Sequence, residues 1–441
     1  MIEEEKNLVL SYDPRAMKLA IVDHVGNPGG GSRYLRILIP HLLKLRPHLK
    51  ITFFGNPDSI QRERLDLEWK PLGIEVRNLN SLWLLNRRYF GFNGAKQLVK
   101  VLQHRYAKAL SWFPPFVSGA VHKELEKKIK GFDLAFFPWP YFLRLPQISC
   151  PSVAVFHDFN FRYLFSGNGF SSHHLDMLHR DIPHWLQNTT PIVSTQFIRK
   201  ELEKFYPEQR GKATVIPLAP MSGLSTTDPT SSRLLLKRFN LPSDYVLYPT
   251  NISPHKNLGP LFSAFHLLRQ RGWKIPLVIV GYGTEAINGR GCEIGLEACK
   301  EEQRDIIGLG YVENEEIDAL IQCARAVVST SLYEAGNGPG LDAWGKKVPV
   351  AMSKIPSFLE HLDFLGVKAK LFDPRSPQDI ADRLEEIFQD PAKAAADAAS
   401  SAQAISQWTW EHVAEKYLSV FEKAAQRKSS EKSTNTYSGF N

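Results

Sequence analysis

Glu334 and Asp342 stand eight residues apart in the stretch SLYEAGNGPGLDAWGKKVPV, residues 331–350. Between them lie Gly336, Asn337, Gly338, Pro339 and Gly340, a run that neither a helix nor a strand would choose. The flanks read as elements: RAVVSTS before it is an apolar β-branched strand, and GLDAW after it opens a helix. Glycines leave the amides of such a turn bare, and a helix start adds the positive end of a dipole, so the turn suits a diphosphate. The two carboxylates suit hydroxyl groups: Asp342 a ribose diol, Glu334 the hydroxyls of a sugar. The segment reads as a holder for an anion and a polyol together.

Three further segments come after apolar runs. YPTNISPHKNLGP, residues 248–260, places Lys256 in a turn before a helix, where it would supply the cation a leaving diphosphate needs, with His255 as a second donor. Alone, Lys256 reads equally as a solvated surface lysine. GNPGGGSRY, residues 26–34, removes side chains at Gly29, Gly30 and Gly31, so that backbone amides approach a phosphate or a sugar; a plain tight turn is the alternative. Tyr34 stands where a dinucleotide fingerprint needs its third glycine, which argues against a nucleotide-dependent oxidoreductase. GYGTEA, from Gly281 to Ala286, satisfies GxGxxA, but the residues INGRGCE after it do not continue as a helix.

These turns need strands and helices to carry them. KLAIVDH, KITFFG, FDLAFFP, SVAVFHD, PIVST and TVIPL, between residues 18 and 218, are continuous apolar runs alternating with amphipathic stretches. Continuous rather than alternating runs mark strands covered on both faces, and the order predicts a parallel doubly wound α/β sheet. APMSGLSTTDPTSSR, residues 219–233, shifts to Ser, Thr, Pro and Gly, as a linker does. The pattern then restarts with YVLYPT, PLVIVG, DIIGLGYV, AVVSTS, PVAMS and AKLFD. We therefore expect an N-terminal extension at 1–17, one Rossmann-like domain at 18–220, a linker at 221–240 and a second such domain at 241–407. A helix at 408–425 and a disordered polar tail at 426–441 complete the chain. Ligands of open α/β sheets bind beyond the carboxyl ends of the strands, so the cleft between the domains is the expected site.

Composition narrows the class. The 441 residues are 43% hydrophobic and 23% charged, ordinary for a globular protein. The start MIEEEKNLVL is no secretory signal, and no run approaches a membrane span, which predicts a cytoplasmic protein with at most peripheral contact at the inner face of the membrane. Cys150, Cys292, Cys299 and Cys323 form neither a CxxC pair nor a Cys/His cluster, so no metal site is expected and buried thiols are. Much of the formal charge of +8 has a place: residues 81–116 hold Arg87, Arg88, Lys96, Lys100, Arg105 and Lys108, no acid, and seven aromatics. That mixture reads as a solvated helix face, or as a surface for an anionic membrane or acceptor. No nucleic-acid partner is expected.

Taken in order, NISPHKN, PLVIVGYG, IIGLGYV, the glutamate turn and AKLFDP resemble the retaining glycosyltransferases of the GT-B fold, family 4. VFHDF, PIVSTQFIRKEL and WTWEHVAEKYL match that family more loosely, and the resemblance covers roughly residues 18–425. It implies two Rossmann-like domains facing each other across a cleft, with a C-terminal helix crossing back onto the first. It implies that Glu334 and Asp342 occupy an E-x7-E signature, with Asp in the second place, that Lys256 clamps the diphosphate, and that His157 lies beside the transferred sugar. Asn251 stands where the family carries an arginine, with His255 or Arg33 as substitutes. The implied reaction is retaining transfer from a GDP- or UDP-linked sugar, without cofactor or metal, to a glycan or lipid-linked glycan of a cell-surface polysaccharide. A degenerate non-catalytic binding subunit and a nucleotide-sugar epimerase are the alternatives.

Overall fold

The computed structural model describes residues 16–25, 30–79, 123–141, 143–163, 172–221, 232, 234, 236–288 and 305–437. The extension before residue 16, Gly29, most of the linker and the basic segment 81–116 lie outside the described residues.

Two parallel sheets form the molecule. The first has the order β3-β2-β1-β4-β5-β6-β7, the second β10-β9-β8-β11-β12-β13. The strands of the first are β1 (Lys18–Asp23), β2 (Lys50–Gly55), β3 (Glu75–Asn78), β4 (Leu134–Phe137), β5 (Ser152–Val155), β6 (Thr190–Val193) and β7 (Thr214–Val215). Those of the second are β8 (Val246–Pro249), β9 (Leu277–Val280), β10 (Ile306–Gly308), β11 (Ala326–Ser329), β12 (Val350–Ser353) and β13 (Lys370–Phe372). Each apolar run expected to be a strand contains one. β3 is an addition to the expected set. Its residues Glu, Val, Arg and Asn are mostly exposed at a sheet edge, so they carry no apolar signature.

Both sheets are covered on both faces, which is why their strands are apolar throughout. In β1, Leu19 and Ile21 enter one core and Ala20 and Val22 the other. In β8, Leu247 faces one core while Val246 and Tyr248 face the opposite one.

The helix Trp410–Tyr437 lies against the first domain although it comes after the second. Val413, Ala414, Tyr417, Leu418 and Phe421 join the core beneath the helix Gly30–Leu45. The expected boundary at 425 falls short, because the backbone stays helical to Tyr437 where the sequence suggests a disordered tail. Once the packed turns have nucleated a helix, each further residue extends it at little cost. Among the described residues no helix is long and apolar enough to cross a membrane.

Candidate active site

Each sheet reverses its winding once. β1, β2 and β3 run outward on one side and β4 returns beside β1; β8, β9 and β10 do the same and β11 returns beside β8. The turns leaving neighbouring strands at such a point diverge and open a crevice. In the second domain those are the turns after β8 and β11, which carry Lys256 and Glu334.

The two side chains meet. Lys256 Nζ lies 2.5 Å from Glu334 Oε1, and Ser331 Oγ donates to the same oxygen at 2.7 Å. Lys256 is 16% exposed and Glu334 19%, so the pair sits at the crevice wall rather than on the open surface. Burial by itself would favour the neutral form of each. The mutual charge outweighs it: Glu334 is held below the ordinary carboxylate range, with help from His255 and Ser331, and Lys256 is raised. Both are ions at neutral pH.

The turns themselves are laced together. Leu332 N donates to His255 O at 2.8 Å, and Thr330 Oγ1 donates to Lys256 O at 3.0 Å. The Asn257 amide donates to Thr330 O at 3.1 Å and to Pro374 O at 2.6 Å, and Asn257 takes the left-handed backbone such a reversal demands. Tyr248 OH reaches Ser331 Oγ and Lys256 O from beneath at 3.0 and 3.1 Å. Gly281 makes the approach of the next turn possible: its φ is +135°, and a Cβ there would lie 1.8 Å from Thr250 O. Asn251 Oδ1 accepts from Ser253 N at 2.9 Å, shaping the turn and carrying no charge of its own. His255 is driven to about 4 by burial and then by the Lys256 charge, so it is a neutral imidazole.

After Glu334 the chain enters the helix Gly338–Gly345. Asn337 is its cap, accepting from Gly340 N at 3.0 Å, and is almost fully buried. Gly340 has no room for a Cβ because the Asn337 side chain occupies it, whereas Gly338 faces open space and Gly336 lies near Leu218 and His361. Of the residues expected to line a donor, Asn337 and Gly340 thus build the turn, Pro339 starts its helix, and Gly336 and Gly338 leave its backbone bare.

Asp342, in the same helix, is 2% exposed. Oδ1 accepts from Met221 N at 2.7 Å and Oδ2 from Arg33 Nη1 at 3.3 Å. Arg33 lies in the first turns of the helix Gly30–Leu45 of the other domain, so Gly30 and Gly31 open that helix close to the interface.

The first domain contributes the loop after β5. His157 Nε2 lies 2.8 Å from Pro138 O; a carbonyl only accepts, so Nε2 carries the proton and Nδ1 presents a lone pair. Its ring stacks on Trp139, centroids 3.9 Å apart, and burial drives it to about 4, a neutral side chain. Asp158 has no motif to single it out in the sequence. Burial raises it to about 6; Asn160 N works against this, Glu334 adds to it and Lys256 opposes it, which places Asp158 in the field of the pair across the cleft. Tyr333, next to Glu334, accepts from Phe159 N at 3.1 Å and joins Tyr163 and Phe197. Adjacency is the only signal for these two: Asp158 comes directly after His157, and Tyr333 directly before Glu334.

Comparison with known proteins agrees with this geometry. Residues 237–404 match the family described as glycosyl transferases group 1. The O-antigen chain mannosyltransferase B of Escherichia coli is 27% identical over 235 residues, which are 52% of this chain and 59% of that protein. The chain therefore spans less than two thirds of that relative. A glycosyltransferase from Rickettsia africae superposes with a TM-score of 0.64 at 15% identity, over 93% of this chain and 98% of that one. HepE from Anabaena, solved with UDP and glucose, superposes with a TM-score of 0.59 at 18% identity, over 94% and 100%. The chain is thus a GT-B protein whose second domain belongs to the glycosyl transferases of group 1.

Proposed function

We propose that the chain transfers a sugar, with retention of anomeric configuration, from a GDP- or UDP-linked donor to a glycan or lipid-linked glycan acceptor in cell-surface polysaccharide synthesis. The observation that carries the reading is the Lys256–Glu334 ion pair at the switch point of the second sheet, directly before a bare glycine turn. The mannosyltransferase relative supports a hexose, and the UDP and glucose held by HepE support a nucleotide sugar.

In this reading the bond from the anomeric carbon to the phosphate oxygen breaks while the bond to the acceptor oxygen forms on the same face. The acceptor's proton passes to the leaving diphosphate. Lys256 neutralises the charge developing on that leaving group, at a position fixed beforehand, so no reorganisation is required in the transition state. Glu334 accepts from the donor sugar's hydroxyls, and the lone pair on His157 Nδ1 serves the same sugar from the opposite wall. Asn251 gives the clamp no second cation; His255, being neutral, supplies a hydrogen-bond donor instead. The basic aromatic segment 81–116 is the part of the first domain that meets an anionic acceptor or the membrane surface.

The test is a thermal-shift screen with GDP, UDP, ADP, dTDP and their sugars on wild type and Glu334→Ala, followed by product detection with and without a chelator. A nucleotide at about 100 times its dissociation constant stabilises the fold by roughly 2.7 kcal/mol. One diphosphate is expected to shift the melting point, its sugar to shift it further only in wild type, and turnover to survive the chelator. No shift with any nucleotide would overturn the reading in favour of a non-catalytic subunit, and release of free isomerised donor without acceptor would favour an epimerase.

A further inference from the structure

The helix Gly338–Gly345 shows what Asp342 does in the folded chain. Each of its carboxylate oxygens already has a partner: Met221 N, in the segment that crosses between the domains, and the Arg33 guanidinium from the first domain. Arg33 uses its second nitrogen on Asp318 Oδ1 at 3.1 Å, in the helix Asn314–Cys323, and Lys346 Nζ stands 3.9 Å from the other Asp318 oxygen. Two acids and two cations thus balance in a cluster where Arg33 is 14% exposed and Asp342 2%. The crossing segment is fixed independently, because the Trp408 and Trp410 indoles donate to Pro217 O and Pro220 O at 3.3 and 2.7 Å.

A ribose diol competing for Asp342 would have to replace a charge-assisted bond with a neutral one, and such charged bonds are roughly twice as strong. It would also leave the Arg33 guanidinium with half its neutralising charge in a mostly buried place. The shorter side chain of aspartate keeps the carboxylate close to its own helix, beside Arg33.

We infer that Asp342 is a positioning residue rather than a ribose ligand: with Arg33 it forms an interdomain clasp that sets the first helix, and the glycine turn leading into it, against the donor site. This rests on the proposed transferase reading for its consequence in turnover, but the clasp itself is tested without it.

Two measurements on the full chain decide the matter, using wild type, Asp342→Asn, Arg33→Ala, Arg33→Lys and the double variant Arg33→Ala/Asp342→Asn. The first is calorimetric binding of GDP or UDP and of the matching 2′,3′-dideoxynucleoside diphosphate. A clasp weakens both nucleotides by the same factor, roughly tenfold, in either single variant, leaves their ratio at the wild-type value and lets Arg33→Lys recover part of the loss. A ratio that collapses towards one in Asp342→Asn, but not in Arg33→Ala, would overturn the proposal and return the ribose to Asp342. The second is small-angle scattering of the free protein. The single variants are expected to widen the domain arrangement alike, and the double variant no further; unchanged scattering in all three would overturn the clasp. If no nucleotide binds wild type, the transferase reading falls, and the scattering result alone judges the clasp.

Discussion

Lys256 Nζ and Glu334 Oε1 lie 2.5 Å apart, joining two turns that are 78 residues apart in the chain. Neither side chain is tolerable alone at that depth. Removing one partner leaves the other uncompensated, which costs about 3 kcal/mol when burial is nearly complete and somewhat less here. We expect Lys256→Ala to lower turnover by a factor on the order of 100–1000, as loss of one fixed donor to a developing oxyanion does. The double variant Lys256→Ala/Glu334→Ala should melt above either single variant while staying inactive. Denaturation and turnover of the four proteins check this, and additive destabilisation would show that the two do not act as a pair.

Gly281→Ala should be among the most damaging single-methyl changes in the chain. The new Cβ would meet a backbone oxygen at 1.8 Å, in a φ region an alanine rarely adopts, and backbone cannot swing aside as a side chain can. A loss of about 3 kcal/mol or more is expected. Gly259→Ala, where nothing lies within 4 Å, is the control and should change little. Urea titration of both variants decides it.

Glu360 caps a helix of the other domain. Its carboxylate accepts from Gln196 N at 2.5 Å and Phe197 N at 2.8 Å, the first amides of the helix Gln196–Phe205. Glu360→Ala should cost about 1–2 kcal/mol, as a lost cap does. Because the cap spans the cleft, limited proteolysis should also speed up at the crossing segment. Equal digestion rates would confine the effect to the helix.

Acid should unfold the protein early. His24, His157 and His255 are each driven by burial from 6.5 to about 4. Their contribution is present above pH 6.5 and is lost as pH falls from 6.5 towards 4, by up to about 3 kcal/mol each at 1.4 kcal/mol per unit. Asp158 runs the other way: raised from 3.8 to about 6, its contribution is complete below pH 3.8 and is lost as pH rises through 6. Three groups outweigh one, so the melting point should drop between pH 6.5 and 4. His157→Gln should flatten that drop, and Asp158→Asn should steepen it while raising the melting point at pH 8. A melting series from pH 4 to 8 checks both signs.

The two parallel sheets are legible in the chain itself, because burial on both faces demands apolar residues at every strand position and so writes each inner strand as an unbroken run. The carriers of chemistry after β8 and β11 are legible too, since glycine, proline and a lone cation or carboxylate at a strand's end have few other uses. β3 is not, because an edge strand satisfies solvent on one side and needs no apolar code. Partnership lies beyond any local reading. That Glu334 pairs with Lys256, that Asp158 feels both, and that Asp342 answers to Arg33 from 309 residues away depend on which strands neighbour each other and how the domains face. Local sequence encodes periodicity and turn chemistry. The distance between two charges, which fixes whether a carboxylate meets a ligand or a guanidinium, is set only when the sheets reverse their winding and the last helix draws the domains together.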